Sequence, residues 1–119
     1  MRHKDVLGRL GEDLAVRHLR EQGLTILERN WRSSGGELDI VARDGDVLVI
    51  CEVKTRSSVR FGTPLEAVTA DKAARMQRLG YAWIRERGVR PREVRFDVVA
   101  IIRPTGSGTT LIEHHRQVV

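Results

Sequence analysis

Apolar residues recur at helical spacing in two stretches of the chain. Leu7, Leu10 and Leu14 follow one another at intervals of three and four residues, and Val16 and Leu19 continue the apolar pattern. This spacing predicts an amphipathic helix over residues 5–22. A second apolar periodicity begins after Thr69, a favourable N-cap, and ends before Gly88, a favourable C-terminal stop. The sequence therefore predicts two helices separated by a long intervening segment.

The remaining apolar segments are shorter and predict strands. The Asp44-Gly45 pair is typical of a two-residue hairpin loop. The strand after it, residues 46–54, begins with apolar residues on both faces, which indicates a central strand covered on both sides. The predicted strands cover residues 24–30, 37–43, 46–54, 94–102 and 110–114, and residues 31–36 are predicted to form a turn-rich loop between the first two.

The order of these elements is helix, three strands, helix, two strands. The strand at residues 94–102 follows the third strand through a helical crossover, so the two are expected to be parallel. The segment at residues 110–114 is expected to lie at a sheet edge. The sequence therefore predicts a single α/β domain over residues 1–119, with a mixed central sheet in the order αβββαββ.

Composition places the chain among globular proteins. Of its 119 residues, 40% are hydrophobic and 31% are charged, and no apolar run approaches the roughly 20 residues of a membrane span. The charged start of the chain lacks the apolar core of a signal peptide, so a cytoplasmic protein without a membrane partner is expected. A single cysteine, Cys51, excludes an intramolecular disulfide, and no Cys/His cluster has zinc-site spacing.

The charge balance favours a polyanionic partner. The chain has 21 Lys and Arg residues against 16 Asp and Glu residues, a net charge of +5. Nucleic acid is the first candidate for such a partner.

Three charged residues interrupt the predicted hairpin. If Asp44 and Gly45 form the loop, Asp39 faces Ile50, and strand alternation places Asp39, Glu52 and Lys54 on one face of the sheet. Asp39 and Glu52 are then diagonal neighbours, roughly 7 to 8 Å apart at the backbone. They are within reach of one bound cation.

Converging carboxylates on a partly buried face repel one another unless a cation compensates them. Mg²⁺ or Mn²⁺ prefers oxygen ligands, so Asp39, Glu52 and the backbone carbonyl of Val53 would form a suitable partial shell. Lys54 could orient or deprotonate the attacking water, or offset charge on a phosphate. The alternative is that Glu52 and Lys54 are solvated charges at a strand end and that Asp39 balances a basic surface.

These residues also resemble a known signature. Asp39, twelve intervening residues and Glu52-Val53-Lys54 are similar to the PD-(D/E)xK signature of restriction-endonuclease-like proteins, although the proline of that name is absent. Almost the whole chain resembles the bacterial YraN family, which is similar in turn to archaeal Holliday-junction resolvases. The blocks that carry this resemblance are Gly11-Glu12-Asp13-Leu14-Ala15, Gly36-Glu37-Leu38-Asp39-Ile40, Glu52-Val53-Lys54-Thr55-Arg56, Phe61-Gly62-Thr63-Pro64, Ala67-Val68 and Lys72.

The resemblance implies a three-layer, restriction-endonuclease-like domain with Mg²⁺- or Mn²⁺-dependent endonuclease activity on DNA, possibly branched DNA, and often a homodimer. It makes Asp39 and Glu52 metal ligands and Lys54 the catalytic lysine. Glu12 matches a glutamate on the first helix of the resolvases, which adds it to the catalytic set as a possible metal ligand. The alternative for Glu12 is an exposed glutamate paired with Arg9 or Arg17.

Further acidic and basic residues are candidates by position. Glu37 is a secondary acidic candidate that could instead pair with Arg32 or Arg56. The candidate nucleic-acid contacts are a basic ridge on the second helix and two arginines of the preceding segment, and a solvated helix face is the alternative for the ridge. These residues are Lys72, Arg75, Arg78, Arg56 and Arg60.

Two functions follow as expectations. The first is a metal-dependent endonuclease that hydrolyses phosphodiester bonds in DNA. The second is a non-catalytic nucleic-acid-binding or assembly module with the same fold.

Overall fold

The computed structural model describes residues 3–57, 68–104 and 108–119. The element order αβββαββ predicted from the sequence is confirmed. In the described parts of the chain, neither helix is both long and apolar enough to cross a bilayer. The elements are α1 (His3–Glu21), β1 (Thr25–Ser33), β2 (Gly36–Asp44), β3 (Val47–Arg56), α2 (Ala70–Arg87), β4 (Glu93–Ile102) and β5 (Leu111–His115).

The five strands form one mixed sheet in the order β1-β2-β3-β4-β5. Neighbouring strands are antiparallel except for β3 and β4, which are parallel. The parallel pair is the one that α2 connects, as a helical crossover requires. The predicted parallel pairing and the edge position of the last strand are therefore confirmed.

Each helix covers one face of the sheet, which gives three layers. On the α1 face, Leu19 packs with Ile40 and Val49 among the fully buried residues. On the α2 face, Leu79 and Trp83 pack in a second apolar cluster. Burial of each such side chain contributes roughly 1.5 to 3 kcal/mol to folding.

Local signals place the ends of α2 as the sequence predicted. Thr69 Oγ1 accepts a hydrogen bond from the backbone N–H of Lys72 at 3.2 Å. Gly88 adopts the left-handed conformation, with φ of 67°, and its N–H donates to Ile84 O at 2.9 Å. The N-cap and the glycine stop are therefore both confirmed.

The hairpin between β2 and β3 differs from its predicted register. Asp44 pairs with Val47, so the loop is Gly45-Asp46 rather than Asp44-Gly45. Gly45 supplies the positive φ of 61° at the first loop position, where a two-residue hairpin loop accommodates glycine. Asp44 ends β2, and its Oδ2 accepts a hydrogen bond from Arg95 Nη1 on β4 at 3.3 Å. The expected pairing of Asp39 with Ile50 is therefore wrong, because Ile50 pairs with Val41.

The loop predicted over residues 31–36 is also wrong. β1 continues to Ser33 and β2 begins at Gly36, which leaves a turn of two residues. Trp31 pairs with Leu38 across the two strands, and both side chains are buried against α2. Burial of these two side chains outweighs the turn-forming tendency of the Ser and Gly residues between them.

Glycines let both helices approach the sheet closely. A Cβ atom at Gly11 of α1 would lie 1.9 Å from Thr55 Oγ1 on β3. A Cβ atom at Gly80 of α2 would lie 3.1 Å from Ile50 Cγ1. The contact at Gly11 brings the next residue, Glu12, over the end of β3.

Candidate active site

The sheet opens between β2 and β3 next to Asp39. Regular pairing of these strands ends at Ile40 and Cys51. Beyond that pair, Asp39 Oδ2 accepts a hydrogen bond from the backbone N–H of Val53 at 2.9 Å. Leu38 packs on the α2 face although Ile40 packs on the α1 face, whereas alternate residues of a regular strand share a face. Asp39 therefore lies at an irregular point, and its carboxylate takes the place of a strand-to-strand bond.

Asp39 faces both sides of this opening. On the α1 side it lines a cleft of about 820 Å³ together with Glu12. On the α2 side it lines a small cavity together with Glu52. The structure thus brings together the carboxylates predicted from the sequence, but around the end of the β2–β3 ladder rather than on one regular face. We call Glu12, Asp39 and Glu52 the Asp39 cluster.

Glu52 and Lys54 form an ion pair on β3. Lys54 Nζ lies 3.2 Å from Glu52 Oε1, and 25% and 16% of the Lys54 and Glu52 side chains are exposed. Glu52 Oε2 is buried and has no hydrogen-bond partner among the described residues. A buried carboxylate oxygen without a donor is costly, so this atom is a candidate ligand position.

Glu12 is held by β1. Its Oε1 accepts hydrogen bonds from Arg29 Nε at 3.1 Å and from Asn30 Nδ2 at 2.8 Å. Only 14% of its side chain is exposed. The alternative of an exposed glutamate paired with Arg9 or Arg17 is therefore wrong, because its partners come from a strand 17 and 18 residues away in sequence.

Sequence reasoning missed Arg29 and Asn30. Asn30 has a φ of 53°, a left-handed conformation that asparagine tolerates better than most residues. Around it Arg29 turns to the α1 side while Trp31 is buried on the α2 side. The sequence offered one signal of this irregularity, because asparagine is uncommon inside strands and Asn30 lies at the end of a predicted strand. Trp31 is only 7% exposed, which leaves little of its ring available for stacking on a base.

Burial and the neighbouring carboxylates raise the pKa of Asp39. The pKa of Asp39 is raised from 3.8 to about 6, first by burial and then by the negative charges of Glu52, Glu12 and Glu37. The hydrogen bond from the Val53 N–H acts in the opposite direction. Glu37 also pairs with Arg32 at 3.4 Å, one of the two partners expected for it. An added cation would relieve this repulsion.

The donor set of the Asp39 cluster fits a hard divalent ion. Asp39, Glu52 and Glu12 are each held through one oxygen, which leaves the opposite oxygen of each as a candidate ligand. The N–H and C=O of a residue in an antiparallel ladder point to the same neighbour, so the Val53 carbonyl also faces the opening. Within the described ranges, no three Asp, Glu, His or Cys side chains already form a compact metal-binding group. A bound ion would therefore require side-chain rotations that bring the oxygens together.

Basic residues border the opening on the α2 side. Arg75 lines the small cavity beside Glu52, and Arg78 Nε lies 3.9 Å from the Cβ position of Gly35. The pKa of Lys72 is lowered, chiefly by the positive charge of Lys54. The other basic candidates predicted from the sequence are Arg56, which is half-buried at the end of β3, and Arg60, which is outside the described residues.

A second acidic group on β4 was missed. Asp97 is fully buried, and its carboxylate accepts hydrogen bonds from Arg95 Nε at 3.0 Å and from the Gln117 N–H at 3.1 Å. Its Oδ2 also lies 2.8 Å from His114 Nε2. Burial alone would raise the pKa of Asp97, but the hydrogen bonds from His114, Arg95 and Gln117 together lower it. We call these four residues the Asp97 network.

Comparison with known proteins identifies the family. The profile of the uncharacterised protein family UPF0102 matches residues 11–101, which include Glu12, Asp39, Glu52 and Lys54. A UPF0102 protein of Nocardioides sp. is 57% identical over 95% of this chain and 90% of its own length. UPF0102 proteins of Pseudarthrobacter chlorophenolicus and Frankia alni are each 55% identical, over 96% and 98% of this chain and 86% and 96% of their own lengths. The chain belongs to the uncharacterised protein family UPF0102, in agreement with its resemblance to the YraN proteins.

Proposed function

We propose that this protein is a metal-dependent endonuclease that hydrolyses phosphodiester bonds in DNA. The observation that carries the proposal is the buried, unpartnered Glu52 Oε2 beside Asp39, whose pKa is raised to about 6. Both features favour a bound cation at this point of the sheet. The resemblance of Asp39, Glu52 and Lys54 to the PD-(D/E)xK signature supports the same function, within a restriction-endonuclease-like fold.

Four groups of the chain would hold the ion, which is Mg²⁺ or Mn²⁺. They are the carboxylates of Asp39 and Glu52, the carbonyl of Val53 and, from α1, the carboxylate of Glu12. When bound, such an ion polarises the phosphodiester and lowers the pKa of water.

Lys54 stabilises charge on the reacting phosphate. Its ammonium is fixed by Glu52 Oε1 at 3.2 Å, so it is oriented before the substrate binds. It can donate hydrogen bonds to a non-bridging oxygen and offset the negative charge that develops there. Glu12 is oriented in the same way by Arg29 and Asn30.

Basic side chains on both sides of the opening support a nucleic-acid substrate. Arg9, Arg29 and Arg32 line the cleft on the α1 side. The ridge of Lys72, Arg75 and Arg78 borders the α2 side. DNA that reaches the Asp39 cluster would contact arginines of both surfaces. Branched DNA, which presents more than one arm, suits this two-sided arrangement.

A cleavage assay tests the proposal. Purified protein is incubated with single-stranded, duplex, flap and four-way-junction DNA in Mg²⁺, in Mn²⁺ and in EDTA. We expect cleavage of at least one substrate with metal, and a loss of about 100-fold or more in the Glu52→Gln and Lys54→Met variants. Glu21→Gln, which removes an exposed acid elsewhere on α1, is the matched control and should cleave like wild type. No cleavage of any of the four substrates in either metal would refute the proposal.

Metal binding separates this function from a non-catalytic nucleic-acid-binding or assembly module. Calorimetric titration should detect Mn²⁺ binding to wild type and its loss in Asp39→Ala, because Asp39 lies between the other two carboxylates. DNA binding that is indifferent to Mn²⁺ and to Asp39→Ala would favour the module instead.

A further inference from the structure

A cleft at the hairpin end of the sheet is separate from the Asp39 cluster. It has a volume of about 520 Å³ and lies where the Gly45-Asp46 loop meets the chain after α2. The backbone N–H of Arg92 donates to Asp46 O at 3.2 Å and fixes these two segments against each other. The cleft shares no lining residue with either of the two cavities beside Asp39, so the proposed reaction does not use it. We call it the hairpin cleft.

A β-bulge in β1 brings an apolar side chain to the hairpin cleft. The register of β1 against β2 shifts between Ile26 and Glu28, with Leu27 between them. Glu28 Oε1 accepts a hydrogen bond from Trp83 Nε1 of α2 at 2.8 Å, and Leu27 lines the cleft together with Trp83. Two adjacent residues of β1 therefore reach the α2 side, which a regular strand does not allow. Leu27 remains 43% exposed there.

The floor of the hairpin cleft is apolar. Leu48 and Trp83 close it from below, and each is only 4% exposed. Val89 lies at its edge and is 40% exposed. Because the indole N–H of Trp83 already donates to Glu28, the ring offers the cleft no free donor. Exposed apolar side chains grouped around a concavity are typical of interaction sites, and this floor suits an aliphatic or aromatic side chain.

The rim of the hairpin cleft carries an excess of positive charge. Arg43, Arg90 and Arg92 are exposed there, and Asp46 is the one acidic residue that lines the cleft in the described part of the chain. The ion pairs among the described residues involve none of these three arginines. Guanidinium groups bind carboxylates through paired hydrogen bonds, so the rim is complementary to an acidic ligand.

The apolar floor and the basic rim together select one class of ligand. A nucleic-acid strand would use the arginines but not the floor, because Trp83 is too deeply buried to stack on a base. A second copy of this chain would bring its own net charge of +5, which opposes docking on a basic rim. An acidic peptide segment that contains an apolar residue uses both features.

We propose that the hairpin cleft binds an acidic segment of a partner protein. One aliphatic or aromatic side chain of that segment packs on Leu48 and Trp83, beside Leu27. Its carboxylates accept hydrogen bonds from the arginines of the rim. This docking site goes beyond the proposed function, since it holds the protein to a partner and leaves the Asp39 cluster open to its substrate.

Fluorescence anisotropy with defined probes tests the proposal. The main probe is a fluorescein-labelled peptide of four aspartates followed by a leucine and a phenylalanine. A second peptide has alanines in place of the leucine and the phenylalanine, and a thymidine oligonucleotide of the same net charge represents nucleic acid. We expect the main probe to bind with a Kd on the order of 100 μM or tighter. The alanine peptide should bind about 10-fold more weakly, because it lacks the apolar anchor.

Variants of exposed residues assign the binding to the hairpin cleft. The double variant Arg43→Glu/Arg90→Glu should bind the main probe at least about 10-fold more weakly, because it reverses the charge of the rim. Leu27→Ser should weaken binding about 5-fold through the lost apolar contact. Arg20→Glu/Arg85→Glu is the matched control, since it changes the net charge equally at exposed positions that do not line the cleft. It should bind like wild type.

Several outcomes would overturn the proposal. They are no binding of the main probe at 1 mM protein, equal binding of the two peptides, and unchanged affinity in the rim variant or in Leu27→Ser. Binding of the oligonucleotide alone, lost in Arg43→Glu/Arg90→Glu, would identify the cleft as a nucleic-acid surface instead. The assay contains EDTA and no cleavable DNA, so its result is independent of whether the protein is a nuclease.

Discussion

Asp39 and Asp97 are both carboxylates enclosed by the sheet, but the donors around them differ. Asp97 is met by Arg95, His114 and the Gln117 N–H, and its pKa is lowered. Asp39 receives one backbone donor and faces other carboxylates, and its pKa is raised to about 6. The same side chain is therefore stabilised as an anion in one place and destabilised in the other.

The difference teaches how to distinguish a structural carboxylate from a ligand carboxylate. A buried acid supplied with its own donors holds neighbouring elements together, as Asp97 joins β4 to β5 and to the segment after it. A partly buried acid that faces other acids needs a cation from outside the chain to compensate its charge. Both groups border α1, since Glu12 belongs to one and the His18 ring lies 5.4 Å from the His114 ring of the other.

The largest effect is expected from Asp97→Ala. It leaves Arg95 and His114 without their buried partner, so the free energy of unfolding should fall by about 3 to 5 kcal/mol. Urea denaturation at neutral pH measures the change. Glu113→Ala, at an exposed position of β5, is the control and should change stability by less than about 0.5 kcal/mol. A loss below about 1 kcal/mol in Asp97→Ala would contradict the structural role of Asp97.

Asp39→Asn is expected to act in the opposite direction. The pKa of Asp39 is 3.8 before burial and about 6 in the fold, so its destabilising charge is absent below pH 3.8 and complete above pH 6. At pH 7 the metal-free variant should therefore be more stable than wild type, by at most about 3 kcal/mol.

A pH series of urea denaturation in EDTA isolates this effect. The stability difference between Asp39→Asn and wild type should grow as the pH rises from 4 to 7. The stabilisation by Asp97 has the opposite sign, because its lowered pKa means that it is lost only as the pH falls through its folded value, below 3.8. A stability difference that stays constant from pH 4 to 7 would show that the charge of Asp39 does not destabilise the metal-free fold.

A smaller effect is expected where α1 meets β3. Gly11→Ala would place a methyl group 1.9 Å from Thr55 Oγ1, so it should reduce stability by about 1 to 3 kcal/mol. The displacement should weaken Mn²⁺ binding at the Asp39 cluster through Glu12. Gly8→Ala is the matched control on the same helix, since no described atom lies within 4 Å of its Cβ position.

The two alanine variants should differ in sign. Gly8→Ala should be more stable than wild type by up to about 1 kcal/mol, because alanine favours the helix. Urea denaturation measures both stabilities, and calorimetry measures Mn²⁺ affinity. Equal stability of the two variants would show that α1 does not depend on contact at Gly11.

The sequence predicted those features that depend on local chemistry. Thr69 and Gly88 mark the ends of α2 because a cap and a left-handed glycine act within one turn of the chain. The hairpin register failed because the sequence offers two overlapping loop pairs, Asp44-Gly45 and Gly45-Asp46, and both suit a two-residue hairpin. A window of a few residues does not distinguish between them.

The candidate site was predictable in its members and not in its geometry. Asp39 and Glu52 are neighbours in either hairpin register, because they are two positions apart in the predicted register and directly opposite when the observed register is continued past Ile40 and Cys51. The opening of the ladder and the left-handed Asn30 depend on how the layers pack. Asp97 could have been found by the criterion applied to Glu52, since it also interrupts an apolar strand.

Cys51 lies on β3 between the two aspartates. It pairs with Ile40, next to Asp39, on one side and with Asp97 on the other. Burial raises the pKa of this thiol well above its usual value, and the charges of Asp97 and Asp39 raise it further. Because the thiolate is the form that reacts with alkylating reagents, the folded protein should resist labelling. The rate of labelling at this single cysteine would then measure how often the centre of the sheet opens, without the introduction of another cysteine.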